Sequence, residues 1–589
     1  MSTESMTDKG EVAASASPVG LTHKQILTIL AGLMAGMLLA ALDQTIVATS
    51  IRTIADDLGD LSGQAWATTA YLITSTITTP LYGKLSDLYG RRPLFITAIT
   101  IFIAGSIASG FATSMNELAA FRGIQGLGAG GLFSLALAIL ADIVPPRERA
   151  RYQGMFLAVF GTSSVLGPVI GGFFAGASTI FGLDGWRWVF LINVPIGIVA
   201  LAVVFKVLHI PHTRRDHRID WWGAVALVVG MVPLLLVAEQ GNKWGWGSGR
   251  TLGFIALGVV GLASFVFVEF KMKDDALIPM RLFKNGPFSL GLIINVLIGL
   301  AMFGALACLP LYLQLVKGAS PTASGLLLLP MMLGLMGGAM GSGIYTSKTG
   351  KYKIFPIAGA TILVVAFMLL LTVTVDTPYV LLDVYFLMIG LGLGLNMQTM
   401  MLAVQNVVKA RDIGVATSSA TFFRQVGGTL GTAIFLSILF NSLPNNIGSK
   451  LTTAAQTPEF QGAMQSSGMT PTDLAGFGEK ITSDSSFLNK LDPIIARPIK
   501  EGFVASTHSV YILAAIVMVV GLILAFRLKE VPLREKSALQ EIQEEDAAAA
   551  AAEAAGNVGN AGEAVAAADA TTESSGAAPT TLTKKPDRH

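Results

Sequence analysis

The chain of 589 residues is 52% apolar, carries 64 glycines and only 13% charged residues, and has a mean hydropathy of +0.63. A charged share near half that of soluble domains excludes an ordinary soluble enzyme, while about 20 residues per bilayer crossing leave room for many spans. The net charge of +2 says little about partners, since the charges follow topology rather than one basic face, and no nucleic-acid partner is expected; a single cysteine, Cys308, without any CxxC or Cys/His cluster, offers no disulfide, metal site or cofactor.

In chain order, hydropathy predicts seven spans at 26–48, 64–84, 93–113, 118–141, 152–177, 187–208 and 221–239. Seven more follow at 251–270, 288–313, 322–346, 354–375, 379–402, 413–441 and 508–527. The fold class is thus an all-α polytopic membrane protein with 14 spans. Alternate short loops hold Lys84, Arg91 and Arg92, then Arg147, Arg149 and Arg151, and so on to Lys409 and Arg411, nineteen basic residues in all, against five in the intervening loops. The positive-inside rule places the nineteen, and both termini, in the cytoplasm, with the spans in the cell membrane. The first 25 residues have no basic cluster, so no cleavable signal is expected. Residues 441–507 form one long outer loop rich in proline, where short surface helices fit. From Ser537 the chain turns to Ala, Gly, Glu, Ser and Thr, the composition of a disordered tail over 537–589.

An offset of 260 maps Gly83 and Gly90 onto Gly343 and Gly350. The same offset maps Ala150, Arg151 and Gly154 onto Ala410, Arg411 and Gly414, and Gly167 and Gly171 onto Gly427 and Gly431. Span 2 then corresponds to span 10 and span 5 to span 13, which leaves spans 7 and 8 as an inserted pair. The division is a segment 1–25, a six-span bundle 26–208, the pair with its linkers 209–285, a second bundle 286–536 and the tail. Transporters built from paired repeats bind substrate between the repeats and rock one half against the other.

Four motifs stand out: Gly83-Lys-Leu-Ser-Asp87-Leu-Tyr-Gly90-Arg91-Arg92-Pro93; Gly161 with Gly167-Pro168-Val-Ile-Gly171-Gly172; Leu42-Asp43-Gln44-Thr45; and Arg122 with Gln125-Gly126. A fifth is Trp186-Arg187-Trp188 followed by Asn193, Pro195 and Gly197. With these, the chain from about Gln25 to Arg534 resembles the major facilitator superfamily, in particular its fourteen-helix drug:proton antiporter branch. The loop after span 2 looks like that family's signature for this loop, and the Gly-Pro face of span 5 like its antiporter signature. Arg52 departs from the branch, which usually has proline at the outer end of span 1.

Physically, Gly83 and Gly90 permit a tight turn, and Asp87 can accept from Arg91, from Arg149 or Arg151, or from a helix N-terminus of the other half, as an inner gate would. The same basic residues also serve topology alone. Gly167, Gly171 and Gly172 make a smooth face beside the helix-bending Pro168, suited to a sliding seal between halves or to static packing.

Ionisable groups within spans are functional candidates. Asp43 lies about 7 Å and Arg122 about 6 Å from the outer ends of spans 1 and 4, a depth at which they can pair. In the resembled fold both helices line the central cavity, and a carboxylate parted from its cation binds a proton more readily. A permanent structural ion pair is the alternative. Arg424 lies about 16 Å into span 13 with no carboxylate at matching depth in spans 10 to 13, while Glu239 and Asp383 read as interfacial and Glu269 as solvated. Spans 9 and 12, the counterparts of 1 and 4, would add Asn295, Met302, Gln314, Asn396, Met397, Gln398 and Gln405 to the cavity wall, a mix of adaptable thioethers and orienting amides.

The resemblance implies a proton-coupled antiporter that exports amphipathic, often cationic or lipophilic compounds, a multidrug efflux role conferring antibiotic resistance, working as a monomer. A lipid or cell-envelope exporter on the same scaffold, or a non-transporting sensor, are the other readings. No GxxxxGK[ST] motif for ATP and no paired nucleophile accompany the spans, so neither ATP driving nor an enzyme is expected.

Overall fold

A computed structural model describes residues 23–60, 64–208, 220–273, 275–467 and 491–548. The first half is built from α1 (His23–Asp57), α2 (Gln64–Tyr89), α3 (Arg91–Gly110), α4 (Met115–Ile143) and α5 (Pro146–Gly176), then a two-strand hairpin, β1 (Thr179–Ile180) with β2 (Leu183–Asp184), and the broken span α6 (Trp188–Leu191) and α7 (Asn193–Val207). The hairpin turns through Phe181 and Gly182, both with positive φ, the two-residue turn whose twist suits paired strands. Next come α8 (Trp221–Trp244) and α9 (Gly249–Met272). The second half comprises α10 (Gly286–Leu315), α11 (Pro321–Leu327) with α12 (Leu329–Thr349), α13 (Ile354–Leu370), α14 (Tyr379–Asn406), α15 (Ile413–Ala454), α16 (Pro458–Ser467) and α17 (Pro493–Arg527).

Local chemistry starts these helices where the sequence supplies an acceptor. Ser114 accepts from Glu117 N, Asp220 from Gly223 N, Ser248 from Thr251 N, Asn285 from Phe288 N and Ser320 from Ala323 N, each satisfying an otherwise orphaned first-turn donor. Each half has its own apolar core. In the first it includes Leu33, Phe95, Phe102, Leu132 and Leu135; in the second Ile298, Leu309, Leu363, Phe367, Ile389 and Phe435.

Twelve helical segments among the described residues are long and apolar enough to cross a membrane. Of the fourteen predicted spans, α13 has 17 residues, and α2 is diluted by hydroxyl side chains that bond back to its own carbonyls, such as Thr74 to Ala70 O and Thr79 to Ser75 O. The helices α8 and α9 pack closely through Gly230 and Gly261, and their apolar side chains Leu227, Met231 and Phe265 cluster with Ile73 and Ile77 of α2 and Phe422 of α15.

The outer loop expected over 441–507 is largely helix where it is described. After Pro444 the stripe Leu443, Ile447 and Leu451 stays buried, so α15 continues to Ala454, and α17 already begins at Pro493. Gly502 of α17 lies against Ile447, and Asn446 donates to Ser506 at 2.9 Å. The tail expected to be disordered from 537 instead begins as a helix, α18, over 538–548, and residues 549–589 lie outside the described residues.

Candidate functional site

The motif residues of α1, α4 and the broken sixth span converge on one buried carboxylate. Asp43 is wholly buried; its Oδ2 pairs with Arg122 Nη1, and its Oδ1 accepts from Gln125 Nε2 at 2.9 Å and Asn193 Nδ2 at 2.8 Å. Ser106 of α3 accepts from both amides and donates to Phe190 O, which fixes their orientation. Arg122 also donates to Gln125 Oε1 at 2.7 Å and lies 4.0 Å from the centre of the Tyr71 ring. Gly105 and Gly126 make the network possible: a Cβ at Gly105 would lie 2.5 Å from Gln125 N, and one at Gly126 2.4 Å from Tyr71 O. Because α1 runs on to Asp57, Asp43 sits about 21 Å from that helix end, three times deeper than the predicted boundary implied.

Between the halves lies a cavity of about 270 Å³. The first half contributes Tyr71, Phe133, Phe156 and Phe160, the second Met302, Met331, Met332, Met397 and Gln398, with Arg424 and Gln425 on α15. Tyr71 belongs both to this wall and to the surroundings of Arg122, so its ring stands between the cavity and the Asp43–Arg122 ion pair. Of the residues expected here, Met302, Met397 and Gln398 line the cavity. Four others do not. Asn295 donates to Gly291 O and Asn396 to Gly392 O, each turned back along its own helix; Gln314 donates to Ser324, and Gln405 lies at the gate described next. The aromatic wall was not anticipated, since phenylalanines facing a cavity and phenylalanines facing lipid are alike in sequence.

Below the cavity, at the end of the bundle carrying the 83–92 and 409–412 segments (the basic end), the halves are closed. Gly83 of α2 packs against Ser418 and Gly414 of α15, and Asp87 accepts from Val415 N at 3.2 Å, in the first turn of α15. Arg91 spans Asp87 at 2.6 Å and Asp142 at 2.7 Å, and Gly90 supplies the positive φ of the intervening turn. Arg149 bonds not Asp87 but Gln405 of α14, at 2.8 Å, and the carbonyls of Ala141 and Val144. Gln398 and Gln153 hydrogen-bond directly across the halves. Arg92, expected at the inner gate, stands apart from this contact, donating to Phe205 O and stacking on the Phe205 ring.

The α5 signature departs from the sliding seal. A Cβ at Gly167 would lie 2.1 Å from Thr45 Oγ1, and one at Gly171 2.3 Å from Thr49 Oγ1 and 2.8 Å from Ile46 O, all on α1 of the same half; at Gly172 it would meet nothing within 4 Å. The glycine face is therefore packing within a half, and Gly427 and Gly431 of α15 repeat it against Val296 and Leu300 of α10. Only Gly161, against Met336, and Pro168, near Gly325, face the second half.

Glu269, expected to be solvated, is fully buried, accepts from Ile278 N at 2.8 Å, and faces the α8 cap residue Asp220 across Gly223. A packed α8–α9 pair screens it, and that packing has no signature in hydropathy.

Two helical halves that close on each other at one end and enclose a mixed aromatic and thioether cavity make a membrane transporter scaffold. The chain belongs to the Major Facilitator Superfamily, whose sequence profile matches residues 33–432. It is 38% identical over 510 residues to an uncharacterized MFS-type transporter of Mycobacterium tuberculosis (strain ATCC 25618 / H37Rv), covering 86% of this chain and 70% of that one. It is 36% identical to the multidrug transporter protein MdtP of Bacillus subtilis (strain 168), covering 90% and 98% respectively. Multidrug resistance protein 3 of the same organism is 34% identical, with 85% and 96% covered. Among solved structures, the proton:xylose symporter XylE shares the fold with a TM-score of 0.51 at 15% identity, over 85% of this chain and 96% of that one.

Proposed function

We propose that the chain is a proton-coupled antiporter that exports amphipathic small molecules across the cytoplasmic membrane by alternating access, as a monomer of fourteen spans with α8 and α9 as the inserted pair and both termini inside. The basic end, where the halves are closed, is then the cytoplasmic side. The multidrug relatives support the substrate class, and the observation that carries the coupling is the buried Asp43–Arg122 pair one ring away from the cavity. Opening and closing of the cavity would shift α4 against α1 and so part the pair. When Arg122 leaves, Asp43 takes up a proton from outside; when the pair re-forms, the proton is released inward. Gln125 and Asn193 hold the carboxylate in place through both steps.

The test is dye efflux from proteoliposomes with an imposed pH gradient. Wild-type protein should export uphill only while the gradient lasts. Asp43→Asn should abolish uphill export in protein that still folds and inserts, with a lowered melting temperature because Arg122 loses its buried counter-ion. Uphill export retained by Asp43→Asn at equal protein would remove the carrier assignment.

A further inference from the structure

The residues that line the central cavity contain one formal charge among the described residues, and it is positive. Arg424 faces the cavity from α15, and no carboxylate is among the lining residues. No ion pair or side-chain hydrogen bond engages its guanidinium among the described residues, although Gln425, Thr421 and Thr429 are its neighbours on the wall. Asp43 is not available to it: both its oxygens are occupied by Arg122, Gln125 and Asn193, and the Tyr71 ring lies over Arg122. Uncompensated guanidinium in an apolar wall is costly unless a counter-charge arrives.

We infer that this cavity selects amphipaths bearing an anionic group, a carboxylate, sulfonate or phosphate, which Arg424 binds while the apolar body packs on the Phe133, Phe156 and Met332 wall. A planar five-donor fork suits a two-oxygen anion, and hydrogen bonds to charged groups are the strong ones. A cationic amphipath finds the same apolar wall but meets like charge and no acid to offset it. This reverses the cation preference that the family resemblance suggested. It rests on the exporter reading only for the direction in which the bound molecule moves.

Binding is measured by equilibrium dialysis against protein in nanodiscs, with empty nanodiscs subtracted and no gradient present, so the result is independent of coupling. Three probes are used: 1-anilinonaphthalene-8-sulfonate, the uncharged N-phenyl-1-naphthylamine on the same skeleton, and ethidium. The sulfonate should bind wild type at least about tenfold more tightly than the neutral analogue. Arg424→Gln should erase that ratio while leaving the neutral probe within about twofold, and Arg424→Lys should keep most of it. Gln425→Glu, whose side chain already accepts from Thr79, adds an acid beside Arg424 and should shift preference toward ethidium. An equal loss for all three probes in Arg424→Gln would mean a structural role and overturn the inference, as would tighter binding of ethidium than of the sulfonate by wild type. If the charge preference holds but gradient-driven export fails, the exporter reading falls and the substrate class stands.

Discussion

At the scale of single residues, the α5 glycines separate two jobs that one motif runs together. Gly171 lies so close to α1 that any side chain must displace Thr49 and the Ile46 carbonyl, and backbone does not yield cheaply. Gly171→Leu should therefore lower stability by about 1 to 3 kcal/mol or more, visible as a lower melting temperature and less folded protein, with near-normal export per folded molecule. Gly172→Leu, facing open space, should melt like wild type. Gly161 opposes the flexible thioether of Met336 in the other half, so Gly161→Leu should impair export more than it impairs folding. Thermal melts read beside efflux per folded molecule decide this, and a Gly171→Leu protein that melts normally yet cannot export would restore the sliding-seal reading. The charged motif residues Asp43, Arg122, Asp87 and Arg91 were legible in sequence because a charge in or beside a span must find a partner. The amides Asn295, Asn396 and Gln314 were not, since an amide can bond back to its own helix and hydropathy does not distinguish that from facing a cavity.

At the scale of elements, the helix α18 bridges the two halves at the basic end. It had a sequence signal that composition masked: Ser537-Ala-Leu-Gln540 is a capping box, with Gln540 Oε1 accepting from Ser537 N at 2.7 Å and Ser537 Oγ accepting from Gln540 N. Ala538 is buried among Ala141, Val404, Ala410 and Ile413, while Leu539 reaches the core of the first half. Around this contact, Arg411 pairs with Glu545 and Asp546, and Arg534 with Glu541. Exposed pairs contribute little individually, so the buried apolar residues set the strength of the contact. Truncation after Lys536 should accordingly expose this end, whereas truncation after residue 548 should not. With the native cysteine replaced and Ala410→Cys introduced, maleimide labelling should rise severalfold in the shorter protein only. Equal labelling in the two truncations would show that α18 does not hold the halves.

At the scale of the whole molecule, the halves meet mainly where α5 packs on α12 and where α2 and α4 pack on α15. Gly167 and Gly171 lock α5 to α1 much as Gly427 and Gly431 lock α15 to α10, so motion is expected between the pairs and not within them. Beside the apolar contact under α18, the basic end is bridged by polar bonds: Asp87 to Val415 N, Arg149 to Gln405, and Gln153 to Gln398. Such bonds can be exchanged for water bonds at small net cost, which suits the proposed gate, one that would open in every cycle. Alternating access demands that this gate open, and a channel-like path around a fixed gate does not. Cysteines at Gln153 and Gln398, joined by a short bis-methanethiosulfonate reagent, should therefore stop export, and a reductant should restore it. The single cysteines treated in the same way should keep near-wild-type rates. Full-rate export by fully cross-linked protein would mean that the halves need not separate there, and that substrate reaches the cavity by another route.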